Sequence, residues 1–423
     1  MSPVAAFVTL GCRLNTADTA LLTDRLERYG YRIAELTPDL VPDLIVINSC
    51  AVTAEAERKS RQITRQLRER CPGARIVVTG CGAESGKEKF LADGAADAVL
   101  HNRTKREIDA VLGKIPEPEI LPETVFQENA FGKFPFLSRA FLKIQEGCEN
   151  FCTYCIVPYV RGPERSRDFE EVIADCRQAL AQGFPELVLT GVNTAAYCHN
   201  GRTLSELLKR VCDLPGDFRV RLSSTEPHPH NQELLELMRD NPKICRFLHL
   251  SLQHGSDRIL RRMNRHYTAA QFAEFAAAAR SAVPGISLGT DVIAGFPGET
   301  EEDFAESLEL IRKLSFANTH LFRYSPRPGT PAATYPDQVP AAVSKERFQR
   351  LKEVTDRSRQ DFIRSWIGKT LPVIFEEEKK DGFRYGWSDN YIRVRMAADA
   401  VELNRIVPVR FEEACCVTGE ANA

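Results

Sequence analysis

The stretch Glu146–Gly162, EGCENFCTYCIVPYVRG, places Cys148, Cys152 and Cys155 within eight residues, spaced Cys-x3-Cys-x2-Cys. Structural zinc takes four protein ligands, usually as two pairs. No second Cys-x2-Cys pair occurs, and the next cysteine, Cys176, falls in a helical stretch. Packed, inert thiols are the other bland reading; three cysteines on one polar loop argue against it. Four thiolates normally fill a [4Fe–4S] cluster, so three leave one iron open. An open position marks a catalytic rather than a structural metal.

The chain around this loop has 423 residues, 43% hydrophobic and 27% charged, enough for more than one globular domain. Its net charge of −2 gives no overall signal for a polyanion partner. The N-terminal MSPVAAFVTLGC has no basic start or long apolar run, and no membrane-spanning stretch is present, so a cytoplasmic protein is expected. Thiols stay reduced there, and clustered cysteines then mean metal or catalysis before disulfides.

Strand and helix patterns alternate on both sides of the loop. Residues 3–9, Leu44–Asn48 and Arg75–Thr79 read as buried strands, with helices at Ala17–Arg28 and Ala54–Arg70. Four prolines in 115–138 mark a linker. Six strand candidates follow, beginning at Ala140, Glu186, Arg219, Phe247, Gly285 and Thr319, with helices between. Six units are too few for a closed eight-stranded barrel and predict a partial (β/α)6 barrel. From Gly368 the pattern changes to short β-like runs with Asp-Gly and Ser-Asp-Asn turns, a small all-β barrel. The expected domains are 1–115, a linker at 116–133, a barrel at 134–366 and a tail at 367–423.

Cys12, Cys50 and Cys81 each stand two or three residues after a predicted strand, in TLGC, INSC and TGC. The carboxyl ends of a parallel sheet share one edge, so three distant cysteines converge. They read as a second three-cysteine site with one open iron. The other cysteines, including the Cys415–Cys416 pair, show no coherent pattern.

The Cys148–Cys155 loop, with Tyr154 before its last cysteine, resembles the signature of the radical S-adenosylmethionine (SAM) superfamily. That resemblance implies that SAM fills the open iron and is cleaved to a 5′-deoxyadenosyl radical, with Tyr154 along the adenine. LTGVN (189–193), SSTEP (223–227), SLQHGSD (251–257) and TDVIAGFPGET (290–300) look like its later strand motifs, and carry Gly191, Asn193, Glu226, Gln253 and Gly295 as implied SAM contacts. A polar residue merely capping a loop is the alternative for each.

Two open clusters, a flavodoxin-like N-terminal domain and a TRAM-like β-tail together resemble the radical SAM methylthiotransferases. GKTLPVIFE (368–376) and SDNYIRV (388–394) carry the tail likeness. Three branches of that family act on isopentenyladenosine in tRNA, on threonylcarbamoyladenosine in tRNA, and on a ribosomal-protein aspartate. KIQEGCENFCTYCIVPYVRGPERSR (143–167), RLSSTEP (221–227), RRMNRHYT (261–268) and YSPRPGTPAA (324–333) are most similar to the threonylcarbamoyladenosine branch; Ser251 and His254 depart mildly from it. The resemblance implies methylthiolation at C2 of N6-threonylcarbamoyladenosine 37, two [4Fe–4S] clusters, SAM, a tRNA anticodon stem-loop, an electron donor and a sulfur source. The other two branches remain alternative substrates, and a zinc-stabilised RNA-binding protein is the non-enzymatic alternative. For RNA contact, Arg161, Arg165 and Arg167 follow the loop and face either phosphate or internal partners. The basic helix Arg58–Arg70 reads as a solvated face, and Tyr385, Trp387 and Tyr391 as base-stacking or core.

Overall fold

The computed structural model describes residues 2–92, 94–102, 107–113, 137–226 and 231–417. The linker expected at 116–133 lies outside them. Residues 4–111 alternate as β1 (Val4–Thr9), α1 (Arg13–Arg28), β2 (Arg32–Ala34), β3 (Leu44–Ser49), α2 (Ala54–Arg70), β4 (Arg75–Gly80), α3 (Cys81–Ala92), β5 (Ala98–Val99) and α4 (Glu107–Val111). The strands form one parallel sheet in the order β2-β1-β3-β4-β5, the flavodoxin-like order of a doubly wound fold. Its central strands β3 and β4 are buried along nearly their whole length because helices cover both faces.

The second unit opens with β6 (Ala140–Lys143) and β7 (Gln145–Glu146). The cysteine loop, α5 (Val157–Arg161) and β8 (Arg165–Ser166) follow, with β8 pairing back on β7. Next come α6 (Phe169–Ala181), β9 (Glu186–Thr190), the small hairpin β10 (Cys198–His199) and β11 (Arg202–Thr203), α7 (Leu204–Cys212), β12 (Arg219–Leu222) and β13 (Ser224–Thr225). The unit closes through α8 (Asn231–Asp240), β14 (Phe247–Gln253), α9 (Asp257–Arg262), α10 (Ala269–Ala282), β15 (Ser287–Ala294), α11 (Glu301–Leu314), β16 (Asn318–Arg323) and α12 (Ala341–Arg364). β12 and β13 are one strand interrupted at Ser223; β12 pairs with β9 and β13 with β14. Six parallel strand positions therefore run in chain order, as expected for a partial barrel. Alternation sends Leu187, Leu189, Val220, Leu222, Leu248 and Leu250 into the core with the helices. It leaves Lys143, Glu186, Arg221, His249 and Asp291 for the lumen.

An open half-barrel has an unclosed side and an unfilled floor. The N-terminal unit covers the side: α1 contacts β6 and β9, and Lys143 Nζ lies 2.6 Å from Asp18 Oδ1. The tail fills the floor. It is an antiparallel half-barrel of β17 (Thr370–Lys380), β18 (Phe383–Ser388), β19 (Arg393–Ala397) and β20 (Val407–Arg410), ordered β19-β18-β17-β20. Leu371, Val373, Phe375, Val394 and Phe411 form its core. Its 387–391 turn enters the barrel floor, where Tyr391 stacks on Phe247 and on Trp387, each at 4.5 Å. These two aromatics pack between units and do not present free faces for bases.

Glu186, Arg219 and Arg221, all buried, fasten that floor. Glu186 accepts from Arg219 Nε at 2.6 Å and Arg221 Nε at 2.8 Å. The remaining guanidinium donors reach tail carbonyls of Pro372, Trp387, Ser388 and Asp389 at 2.7–3.1 Å. Burial opposes ionisation of Glu186, but Arg221 and Arg219 outweigh it and hold the carboxyl well below its usual range. Removing one member of such a buried set leaves uncompensated charge, at about 3–5 kcal/mol. Glu186→Ala is expected to lower the thermal unfolding midpoint and to speed protease cleavage between α12 and β17. An unchanged cleavage rate would show that the aromatic stack alone holds the tail.

Candidate iron–sulfur and SAM site

Cys12, Cys50 and Cys81 follow β1, β3 and β4 at the carboxyl edge of the N-terminal sheet. β1 and β3 are neighbours whose connections leave in opposite directions, so the cysteines sit at the topological switch point. Local bonds set the spacing. Asn15 Nδ2 reaches Leu10 O at 2.7 Å and Ser49 O at 3.1 Å. Ser49 Oγ donates to Thr79 O at 2.6 Å and accepts from Ala83 N at 2.8 Å, tying β3 to the first turn of α3. Gly11 has φ +103°, and a Cβ there would lie 3.0 Å from Cys50 Sγ; only glycine lets the backbone pass this close. Burial pushes the Cys50 thiol up to about 12, and the nearby Cys81 and Cys12 thiols act in the same direction. Cys50 and Cys81 are buried and Cys12 is exposed, which leaves the site open on one side.

The second site lies beside the first. Cys148, Cys152 and Cys155 stand on the loop after β7, the first two buried and the third half-buried. Thr153 N bonds Met263 O at 3.1 Å, Ala332 N bonds Thr153 O at 2.8 Å, and Val157 N approaches Cys155 Sγ at 3.4 Å. Burial pushes the Cys148 thiol up to about 12 and raises the Cys155 thiol further, so occupation by metal must displace protons. Helix α5 begins two residues after Cys155, and its Val160, with Ile156, packs on Cys81. One short helix therefore separates the two cysteine sites.

Each site has a buried guanidinium aimed at one sulfur. Arg161 Nε donates to Cys81 Sγ at 3.2 Å, and Arg265 Nη1 to Cys152 Sγ at 3.1 Å. Three soft thiol ligands, an arginine donor and an open side fit a thiolate-ligated cluster at both places. Arg265 falls in RRMNRHYT (261–268), a stretch that carries a family likeness without assigning this residue a role. In the structure it also donates to Glu226 Oε1 at 2.8 Å, and Asn150 Nδ2 reaches Glu226 Oε2 at 2.7 Å, so Glu226 stands directly against the cluster loop.

The remaining sequence-assigned residues are placed as follows. Tyr154 packs edge-on against Phe296, with ring centres 6.5 Å apart. Asn193 lies after β9, its backbone N bonded to Gln145 Oε1 at 3.0 Å. Its Oδ1 is buried with no partner among the described residues, as suits an acceptor for a bound ligand. Gly191 precedes it against Gln145. Gln253 ends β14 at a register shift with φ +69°, a strained backbone at a strand's carboxyl end. Gly295 directly follows β15, but a Cβ there would lie 2.6 Å from Ser344 Cβ; the close passage of α12 already accounts for this glycine.

Arg161, Arg165 and Arg167 do not face solvent. Arg161 is 1% exposed and donates to Glu146 at 2.6 Å, Asn15 at 2.7 Å and Asp18 at 3.2 Å. Arg165 lies 3.7 Å from Glu146, and Arg167 pairs with Asp175 at 2.7 Å. Their partners are internal carboxylates, which corrects the expectation of phosphate contact. In the basic helix α2, by contrast, Arg58 pairs with Glu55 on an exposed face, as a solvated surface should.

A half-barrel with three cysteines on its first loop is the architecture of the radical SAM superfamily, whose profile matches residues 142–311; the Uncharacterized protein family UPF0004 profile matches residues 4–101. The chain is 35% identical over 97% of its length, and 94% of the relative's, to "Threonylcarbamoyladenosine tRNA methylthiotransferase MtaB" of Bacillus subtilis (strain 168). It is also 35% identical to "tRNA-2-methylthio-N(6)-dimethylallyladenosine synthase" of Acetivibrio thermocellus, over 95% of this chain and 87% of the relative. Among solved structures, the radical SAM methyltransferase TsrM from Kitasatospora setae superposes with a TM-score of 0.58 at 14% identity, covering 90% of this chain and 79% of that one. At that identity the likeness concerns fold alone. The protein is a radical SAM enzyme, using a [4Fe–4S] cluster and SAM. More narrowly, the chain belongs to the radical SAM methylthiotransferase family.

Arg161 joins the units, so Arg161→Met leaves Asp18 and Glu146 buried with a partner missing, at about 3–5 kcal/mol. The variant is expected to unfold at lower temperature and to exchange α1 amide hydrogens faster, as read by mass spectrometry. Wild-type exchange across α1 would show that Lys143 alone holds the joint.

Proposed function

We propose that the enzyme methylthiolates C2 of N6-threonylcarbamoyladenosine at position 37 of tRNA, giving the 2-methylthio derivative. The observation that carries this reading is the contact of the two cysteine sites across α5, with Cys81 on Ile156 and Val160. In it, Cys148, Cys152 and Cys155 hold one [4Fe–4S] cluster and Cys12, Cys50 and Cys81 a second, each with one open iron. When bound, the barrel cluster with SAM supplies a hydrogen-abstracting radical, and the second cluster carries the sulfur to be delivered. A C2–H of adenine has no acidity useful to a side-chain base, so the hard step belongs to the cofactors. The chain's own groups position: Glu226 and Asn193 face the SAM side, and Arg265 and Arg161 orient and neutralise a ligand sulfur.

The choice of branch is supported by the quoted motifs and by relatives such as the Bacillus subtilis protein. The equal identity to the dimethylallyladenosine relative keeps isopentenyladenosine as the second reading. The proposed units are 1–115, 134–366 and 367–423, acting in the cytoplasm with an electron donor and a sulfur source. RNA contact by the tail is supported by its basic and aromatic ladder: Arg393 lies 4.9 Å over Tyr385, and Arg395 lies 5.3 Å over Phe383, all half-buried on β18 and β19.

Anaerobic reconstitution should give about eight irons per chain, and about four after Cys12, Cys50 and Cys81 are all changed to Ala. In a strain lacking the protein, nucleoside analysis of tRNA should show loss of the methylthio group from threonylcarbamoyladenosine alone. Loss from isopentenyladenosine instead would overturn the branch; four irons in the wild type would overturn the second cluster.

A further inference from the structure

The lumen holds a polar group that neither cysteine site uses. His249, Asp291 and His320 come from the adjacent strands β14, β15 and β16. His249 Nε2 lies 3.1 Å from Asp291 Oδ2, and His320 Nδ1 3.5 Å from Asp291 Oδ1, with the imidazoles 5.0 Å apart. The Asp291 carboxyl is driven up by burial but held below its usual range by His249 and His320. Arg13 enters from the covered side. It is the first residue of α1 and directly follows Cys12. Its guanidinium lies 4.9 Å over Tyr391 and 5.6 Å over Phe247, and its Nη1 donates a long 3.4 Å bond to the Leu222 carbonyl. Its charge is felt at His320, whose proton affinity is lowered by burial first, then by His249 and Arg13. Phe247, under that guanidinium, and His249 stand two residues apart on β14 and so on one face, and a Cβ on Gly289 would meet both rings, so Arg13 and the triad border one volume.

Arg13 stands apart from the other interior arginines. Arg161, Arg219, Arg221 and Arg265 each hold a carboxylate. Among the described residues Arg13 has none within 4.0 Å. A half-buried guanidinium stacked on aromatic rings, with no carboxylate partner among the described residues, is suited to a carboxylate ligand.

We propose that this pocket takes the acidic N6 substituent of the modified adenosine: Arg13 pairs with the threonyl carboxylate, and the His249–Asp291–His320 group meets its hydroxyl and urea groups. The proposal rests on the threonylcarbamoyladenosine reading and identifies specificity residues for it. An isopentenyl group offers no anion and would leave Arg13 desolvated without a partner, so the pocket discriminates by what it leaves unpaired. An anchor one residue from Cys12 also holds the base beside the N-terminal cysteine site. The triad's ligand atoms lie within 4.8 Å of one another, a spacing that a divalent cation accepts; Arg13 across the pocket opposes a cation there.

The test uses reconstituted full-length enzyme and anticodon stem-loops carrying N6-threonylcarbamoyladenosine, its primary carboxamide, or isopentenyladenosine. The wild type is expected to favour the acid over the amide by roughly 100-fold in kcat/KM, the scale of losing one partner of a buried charge pair. Arg13→Gln should bring that ratio near one, with iron per chain unchanged; Arg13→Lys should restore part of it. If Gln at this position disturbs the Cys12 site, seen as lost iron, Arg13→Lys and His320→Gln read the same ratio. An acid-to-amide preference undiminished in these variants overturns the proposal while leaving the substrate reading intact. A stoichiometric metal beyond the clusters, lost in His320→Gln, overturns it in favour of a metal site. Activity of the wild type on the isopentenyl stem-loop alone overturns the substrate reading itself.

Discussion

Arg161 bonds four groups from one side chain, and the three that are not its own unit's Glu146 belong to the N-terminal unit: Asn15, Asp18 and Cys81. It lies at the end of the helix that follows the barrel cysteines. Among the described residues, the buried network around it sets Lys143, Arg161 and Arg165 against Asp18 and Glu146. Arg161 Nε points at the Cys81 sulfur, and a metal-bound thiolate there would add an anion to the same network. The joint between the units and the electrostatics of the N-terminal site are then one arrangement.

That coupling explains why the half-barrel can stay open. A closed barrel fills its interior with its own side chains. Here six strands leave a lumen that α1 covers on one side and the tail turn plugs below, through Glu186, Arg219, Arg221 and the Tyr391 stack. The lumen is bounded by all three parts of the chain. The cysteine sites come from two units, and the polar group of the lumen comes from β14–β16 with Arg13 at the start of α1 beside it.

What the sequence made legible follows range. Cysteine spacing, strand runs and helix periodicity are local, and they placed both cysteine sites at strand ends and most elements within a few residues. α3 was missed because Gly82 and Gly86 dilute its helical pattern, and Gly86 does leave helical geometry. β2 and β5 are too short to show alternation. The arginines misled for a different reason. Arg161, Arg165 and Arg167 read as a basic patch, yet Asp18, a partner of Arg161, lies 143 residues away. Charge pattern along a chain cannot separate a solvated cation from a buried, paired one. Arg265 and Arg13 were illegible for the same reason: each is defined by what it meets across the fold.

The two three-cysteine sites share more than a ligand count. Each offers sulfur from the carboxyl edge of a parallel sheet, each has a guanidinium on one sulfur, and each has one cysteine less buried than the other two, Cys12 exposed and Cys155 half-buried. A fourth cysteine at either place would close a cluster and leave it able only to store or pass electrons. Two closed clusters across α5 would make an electron-transfer pair; two open ones would make a pair of binding positions. The short helix fixes their separation, because Cys155 stands just before it and Cys81 packs on its side. In the proposed reaction one site would take a hydrogen from the base and the other would deliver a group to it, so the spacing that α5 sets between them is a spacing the substrate must match.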